Sequence, residues 1–161
     1  MHENILVPLD GSKIGEAALP YVEGLVSELA PGKKVTVTLL QVISLMPHYI
    51  IAGGEYDAAY PVVYSDKEIK QFKQEAADYL NKAGEGLRSK GANVNIIVAT
   101  GQAADEILKV ADEIKADLVA MSSHGRSGLS RWAFGSVADR VLRGSSQPVI
   151  VVRPPKEAKK K

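Results

Sequence analysis

Leu118-Val119-Ala120-Met121-Ser122-Ser123-His124-Gly125, followed after nine residues by Gly135-Ser136-Val137-Ala138-Asp139-Arg140-Val141-Leu142, is the stretch that decides the fold. Four uninterrupted apolar residues bounded by small polar ones predict a short strand buried on both faces. Val137, Val141 and Leu142 fall on one face of a helix that opens at Gly135. Between strand and helix lies a glycine-hinged loop. Glycines let backbone N–H groups approach an anion without a Cβ in the way, and the first turn of a helix adds unpaired donors and the positive end of its dipole. The residues therefore predict a phosphate cradle, to which the Ser136 hydroxyl adds a donor.

Outward from this unit, strand patterns recur at Ile5 to Leu9, Val35 to Ile43, Val94 to Val98, Leu118 to Met121 and Val149 to Val152. Helical patterns separate them. The first covers Lys13 to Leu29, with Ser12 as N-cap, Ala18, Val22, Leu25, Val26 and Leu29 on the buried face, and Pro20 marking a bend or a late start. The second runs from Asp66 to Ser89, with Ile69, Phe72, Ala76, Leu80, Ala83 and Leu87 on one face, and Gly91 ends it. The third covers Ala103 to Ile114. Apolar strands alternating with helices predict a doubly wound α/β domain: a five-stranded parallel sheet of order 3-2-1-4-5 with helices on both faces. In such sheets ligands bind beyond the carboxyl ends of the strands, where the strand order reverses. That order would make Asp10 face the glycine loop.

A chain of 161 residues, 45% hydrophobic and 24% charged, predicts one globular domain, 1–154, with a basic disordered tail at 155–161. Lys156, Lys159, Lys160 and Lys161 against Glu157 give the last six residues +3, so the remainder of a +1 chain carries −2. A slightly acidic body argues against a nucleic-acid partner. Cysteine is absent, which fits a reducing compartment, and Met1-His2-Glu3-Asn4 shows no signal-peptide pattern. The expectation is a cytoplasmic protein without a membrane partner.

Ser122, two residues, Gly125, nine residues, Gly135-Ser136 resembles the nucleotide-binding signature of the universal stress protein family, Gly-x-x-Gly, nine residues, Gly-Ser or Gly-Thr. Ser122 departs from it, standing where nucleotide-binding members usually have glycine. The resemblance extends from Ile5 to Arg153. Asn4-Ile5-Leu6-Val7-Pro8-Leu9-Asp10-Gly11-Ser12 looks like the family's opening strand with its acidic ligand contact. Leu39-Leu40-Gln41-Val42-Ile43 looks like the second strand, whose Val42 position holds adenine through main-chain groups, and Gly101 before Glu106 and Ile107 matches a further landmark. Ser145 to Arg153 resembles the closing strand. The implied nucleotide contacts are Pro8, Leu9 and Asp10 at the first strand; Val42 and Gly101; Met121, Ser122, Ser123 and His124; Gly125, Arg126 and Gly128 in the loop; and Gly135, Ser136 and Val137 at the helix start. The implied ligand is ATP, with Mg or Mn carried by the nucleotide.

Several residues carry two readings. Asp10 either contacts the ribose, base or a nucleotide-borne metal, or caps the following helix together with Ser12. His124 either reaches the ligand or shapes the loop; His2 and His48 show no metal-ligand spacing with it. Arg126 and Arg131 either clamp phosphates or are solvated. Trp132 and Phe134 read as core or interface residues. The 22-residue connection Ser44 to Ser65 holds Tyr49, Tyr56, Tyr60 and Tyr64 and reads as a long loop, either a lid or partner patch, or aromatics packed on the domain's own flank.

Three functions compete. An ATP-binding regulatory protein, with the stress-response role that the resemblance implies, leads. A slow ATP hydrolase is second, weakened by the lack of a Walker sequence and of an evident general base, so catalytic residues are expected to be none. A dimeric interaction module without nucleotide is third. All three are compatible with a homodimer, because the apolar strand Val149 to Val152 near the chain's end would leave an unprotected edge.

Overall fold

The computed structural model describes residues 3–46, 48–52, 58–124 and 134–155, with the backbone alone for 48–52 and 58. Five strands form one parallel sheet: β1 Asn4–Pro8, β2 Thr36–Ile43, β5 Asn93–Thr100, β6 Leu118–Ser122 and β7 Val149–Val152. Their spatial order is β5-β2-β1-β6-β7, which is the expected 3-2-1-4-5. β1 pairs with β2 over its whole length, from Asn4 opposite Thr36 to Pro8 opposite Leu40, and on its other side places Ile5 opposite Leu118.

Side-chain alternation divides the core into two layers. On one face Ile5, Val7, Val37, Leu39, Leu118 and Ala120 pack against helices α1 (Leu19–Leu29), α2 (Asp66–Ala83) and α3 (Glu85–Ser89). On the other, Leu6, Leu40, Val119 and Met121 pack against α4 (Ala103–Glu113) and α5 (Ser136–Gly144). Ile5, Leu6 and Val7 are fully buried because β1 lies at the centre of the sheet with helices over both faces.

The structure corrects the expected elements in three places. The helix predicted from Lys13 begins instead as a 3₁₀ turn, Ile14–Ala18, and becomes α-helical at Leu19. Pro20 sits in the first turn, where its missing N–H has no intrahelical partner to lose. Of the face assigned to this segment, Ala18, Val22 and Val26 are buried, whereas Leu25 and Leu29 are only partly so. The helix expected as one piece from Asp66 to Ser89 breaks at Gly84, close against Val94 of β5. Its start is a capping box: Ser65 Oγ accepts the N–H of Glu68, and the Glu68 carboxylate accepts the N–H of Ser65 at 2.8 Å.

The third correction concerns the connection 44–65, which is not without structure of its own. It carries a two-stranded antiparallel sheet, β3 His48–Ala52 and β4 Ala58–Val62, with Ile50 opposite Tyr60. The signal was Gly53-Gly54 between runs rich in Tyr, Ile and Val, a pattern that favours a hairpin over a loop. Tyr64 does pack on the domain's flank, edge-on to Phe72 with ring centroids 5.3 Å apart, whereas Tyr60 is 60% exposed. Phe134, expected in core or interface, is 42% exposed and is not a core residue. Gly125, Arg126, Gly128, Arg131 and Trp132 lie outside the described residues, as does the expected tail beyond Pro155.

Candidate functional site

The chain leaves β1 toward β2 across one face of the sheet and leaves β6 toward β7 across the other, so a crevice opens between their carboxyl ends. There a cavity of about 300 Å³ is lined by Pro8, Leu9 and Asp10 from the end of β1 and by Met121, Ser122, Ser123 and His124 from the end of β6. Gly135, Ser136 and Val137 close one side, and Val42 another. Of the sequence-predicted residues, these eleven come together. Gly101 stands outside this lining: with φ +144° it turns the chain out of β5, its N–H donating to Ile43 at 3.0 Å, and so delivers Ala103 and Ile107 into the cavity. Gly125, Arg126 and Gly128 lie outside the described residues.

Sequence reasoning missed Gly15, Leu40, Ala103, Ile107 and Ala138, all of which line the cavity. Leu40 was legible as the neighbour of Val42 on the same strand face. Gly15 was not, since its role depends on a fold-back. A Cβ at Gly15 would overlap the Asp10 carboxylate and come within 3.2 Å of Ser12 Oγ. Asp10 Oδ1 accepts the Ser12 N–H at 2.9 Å and the Ser12 hydroxyl at 2.6 Å, and Ser12 Oγ in turn accepts the Gly15 N–H at 3.0 Å. Thus Asp10 and Ser12 do cap the 3₁₀ turn, and the same bonds fix the carboxylate at the cavity wall.

Ser122 is 7% exposed and its hydroxyl is directed at backbone. Oγ lies 3.0 Å from the Ile14 carbonyl and 2.7 Å from the His124 carbonyl, and donates its single proton to one of them. The serine in place of the family's glycine therefore spends its polar group across the crevice, on the 3₁₀ turn and its own loop. His124 Nδ1 meets Ser123 Oγ at 2.9 Å, and its Nε2 is buried without a hydrogen-bond partner among the described residues.

At the start of α5, Gly135 donates its N–H to the Ser123 carbonyl at 2.8 Å and offers no side-chain cap to the helix. The next N–H groups, those of Ser136, Val137 and Ala138, belong to the turn that has no intrahelical acceptors, and all three residues border the cavity. A Cβ on Gly135 would stand 3.2 Å from the Ser123 carbonyl. The site thus combines uncapped helix donors, a positive dipole end and a glycine where backbone meets backbone. Such a set of donors accepts an anionic oxygen.

The universal stress protein family model matches residues 1–153. Universal stress protein YxiE of Bacillus subtilis is 30% identical over 160 residues, 95% of this chain and 100% of that one. Universal stress protein MJ0577 of Methanocaldococcus jannaschii is 29% identical over 161 residues, 95% of this chain and 96% of the relative. The solved structure of MJ0577 superposes with a TM-score of 0.74 at 27% identity, covering 97% of this chain and 99% of that one. More distant solved structures share the fold at 16–23% identity and TM-scores of 0.58–0.63, covering 94–96% of this chain and 92–99% of theirs. They are universal stress proteins in complex with cAMP, with dAMP (Archaeoglobus fulgidus) and with AMP (Arabidopsis thaliana). With the family's signature spacing on β6 and α5 and its model matched along nearly the whole sequence, the chain belongs to the universal stress protein family.

Proposed function

We propose that the chain is an ATP-binding regulatory protein of the stress response that works as a homodimer, holding the nucleotide in the crevice between β1 and β6. The observation that carries this reading is the N-terminus of α5, without a side-chain cap, opening onto the switch-point cavity, where a triphosphate would find backbone donors and, among the described residues that line it, no carboxylate but that of Asp10. The adenine nucleotides held by relatives of the same fold support the base. In this reading the phosphates lie on Gly135, Ser136 and Val137 and on the loop from Ser122 through His124 to Gly125, Arg126 and Gly128. Adenine lies toward Val42, and Asp10 faces the ribose or the Mg or Mn carried by the nucleotide. Binding, rather than turnover, is the activity.

Mass spectrometry of nucleotide released on denaturing freshly purified protein tests the reading. ATP recovered near one per chain supports it, and a preponderance of ADP would favour slow hydrolysis. Neither nucleotide, together with no rise in Tm at millimolar Mg-ATP, would overturn it, because a ligand of the folded state stabilises by about 2.7 kcal/mol at a hundredfold excess over Kd. The proposed dimer forms through β7, an edge strand whose four residues are only half-buried in one chain.

A further inference from the structure

The turn that carries the Asp10 lip of the crevice is short. Ile14–Ala18 is a single 3₁₀ stretch of five residues, whose hydrogen bonds are poorer in geometry than those of an α-helix, so its place depends on what it touches. The bonds from Ser12 to Asp10 and from Gly15 to Ser12 lie within the turn and fix its shape. Its position relative to the sheet is left to contacts with other elements. Toward β6, the Ile14 carbonyl lies 3.0 Å from Ser122 Oγ. Toward α2, the Tyr79 hydroxyl donates to Glu16 Oε1 at 3.1 Å, across 63 residues of sequence.

Tyr79 is suited to be an anchor because it stands on a rigid element. It belongs to an 18-residue helix, precedes the fully buried Leu80, and packs against the core layer that includes Leu9 and Ala18. The Glu16 carboxylate is 21% exposed and has a second neighbour, Lys13 Nζ, 3.0 Å from Oε2. That lysine is 93% exposed and lies just before the same turn, so it fixes nothing relative to the sheet. Glu16 also directly follows Gly15, whose backbone lies so close to the Asp10 carboxylate that a Cβ would overlap it. A shift of Glu16 therefore moves the surface against which the carboxylate rests.

We propose that Tyr79 is a positioning residue of the nucleotide site: through Glu16 and Gly15 it holds the Asp10 carboxylate in place at the cavity wall. Helix α2 thus sets one lip of the crevice although none of its residues lines the cavity. A binding constellation is held in its productive geometry by neighbours whose own rotamers are locked by packing, which the core layer provides for Tyr79 and solvent does not provide for Lys13. This role rests on nucleotide binding in the crevice.

The test is a double-mutant cycle read by ATP affinity, with the backbone amide signals of Ser12 and Gly15 followed by NMR without ligand. Tyr79→Phe keeps the ring in the core layer and removes only the hydroxyl. It is expected to fold as the parent does, to move both amide signals, whose N–H groups bond to Asp10 Oδ1 and Ser12 Oγ, and to weaken ATP binding about fivefold. In the Asp10→Ala background the same change is expected to leave affinity unaltered, because the cycle isolates the coupling between the two residues. Glu16→Ala should reproduce Tyr79→Phe, and Glu16→Gln, which keeps an acceptor for the phenol, should stay within about twofold of the parent. A purely structural role would lower Tm without this pattern. A parent that binds ATP while Tyr79→Phe binds it equally well would overturn the positioning role alone, as would an equal loss in both backgrounds. A parent that binds no ATP would overturn the nucleotide reading and the positioning role together.

Discussion

The hydroxyl of Ser122 lies 3.0 Å from the carbonyl oxygen of Ile14, joining the end of β6 to the 3₁₀ turn that follows β1, 108 residues earlier in the chain. The same oxygen lies 2.7 Å from the His124 carbonyl, so the residue that departs from the family signature keeps its hydroxyl on backbone acceptors of both lips. Ser122→Ala is expected to destabilise the fold by about 1 kcal/mol through loss of the hydroxyl's one donated bond, while ATP affinity stays within a fewfold of the parent. Urea denaturation and calorimetric titration check the pair. An unchanged stability with lost affinity would mean that the hydroxyl contacts the nucleotide.

Gly135 separates a helix start from a phosphate cradle. Gly135→Ala adds a Cβ at 3.2 Å from the Ser123 carbonyl and should cost a modest part of the stability. Gly135→Asp adds charge to the same Cβ, which favours the helix dipole but repels the nucleotide by a few kcal/mol in a partly buried site, or about two orders of magnitude in Kd beyond Gly135→Ala. Thermal unfolding without ligand and ATP affinity, measured on both variants, resolve the two effects. Equal affinities would remove the phosphates from this helix.

Asp10 is oriented from below by Gly15. In Gly15→Ala the new methyl must displace the Asp10 carboxylate and with it the bonds from Ser12. A loss of about 1 kcal/mol in stability is expected, together with weaker nucleotide binding that Asp10→Ala reproduces without the steric change. If Asp10→Ala binds ATP as the parent does, the carboxylate serves the turn alone.

The capping box of α2 imposes a pH dependence. Hydrogen bonds from the Ser65 N–H and hydroxyl hold the Glu68 carboxyl below its ordinary value of 4.5. Because the folded pKa is depressed, the stabilisation is present above 4.5 and is lost as the pH falls through the folded value. Ser65→Ala is therefore expected to destabilise the chain near neutral pH, with a smaller difference from the parent in acid and at high salt. Denaturation curves at both pH values decide; a difference that grows in acid would contradict the assignment.

Along β7 the carbonyls of Pro148 and Val152 turn inward to β6, at 2.9 and 2.8 Å from the N–H groups of Val119 and Ser123. Backbone groups alternate along a strand, so those of Val151 face the open edge. Val151→Pro removes one outward N–H and no bond to β6, and is expected to convert a dimer to a monomer with little loss of Tm. Light scattering at micromolar concentration checks it. A parent that is already monomeric, or a variant that remains dimeric, would exclude this edge as the interface.

Sequence by itself determined the five core strands, the parallel α/β class and the lips of the crevice, because apolar periodicity, glycines and small polar residues at element ends act over a few neighbouring residues. Asp10, His124 and Gly135 were legible in that way, and Val42 only through the family resemblance. Tertiary structure decided what depends on distant neighbours: that Gly15 sits against Asp10, and that the Ser122 hydroxyl falls between the Ile14 and His124 carbonyls. It also decided that α2 breaks where Gly84 meets Val94, and that Asn4, Thr36, Thr38 and Asn95, unremarkable in their own strands, fall on one face of the sheet. A side chain's hydrogen-bond partner and the helix that does or does not cover it are set by crossovers and strand order, which no local pattern encodes.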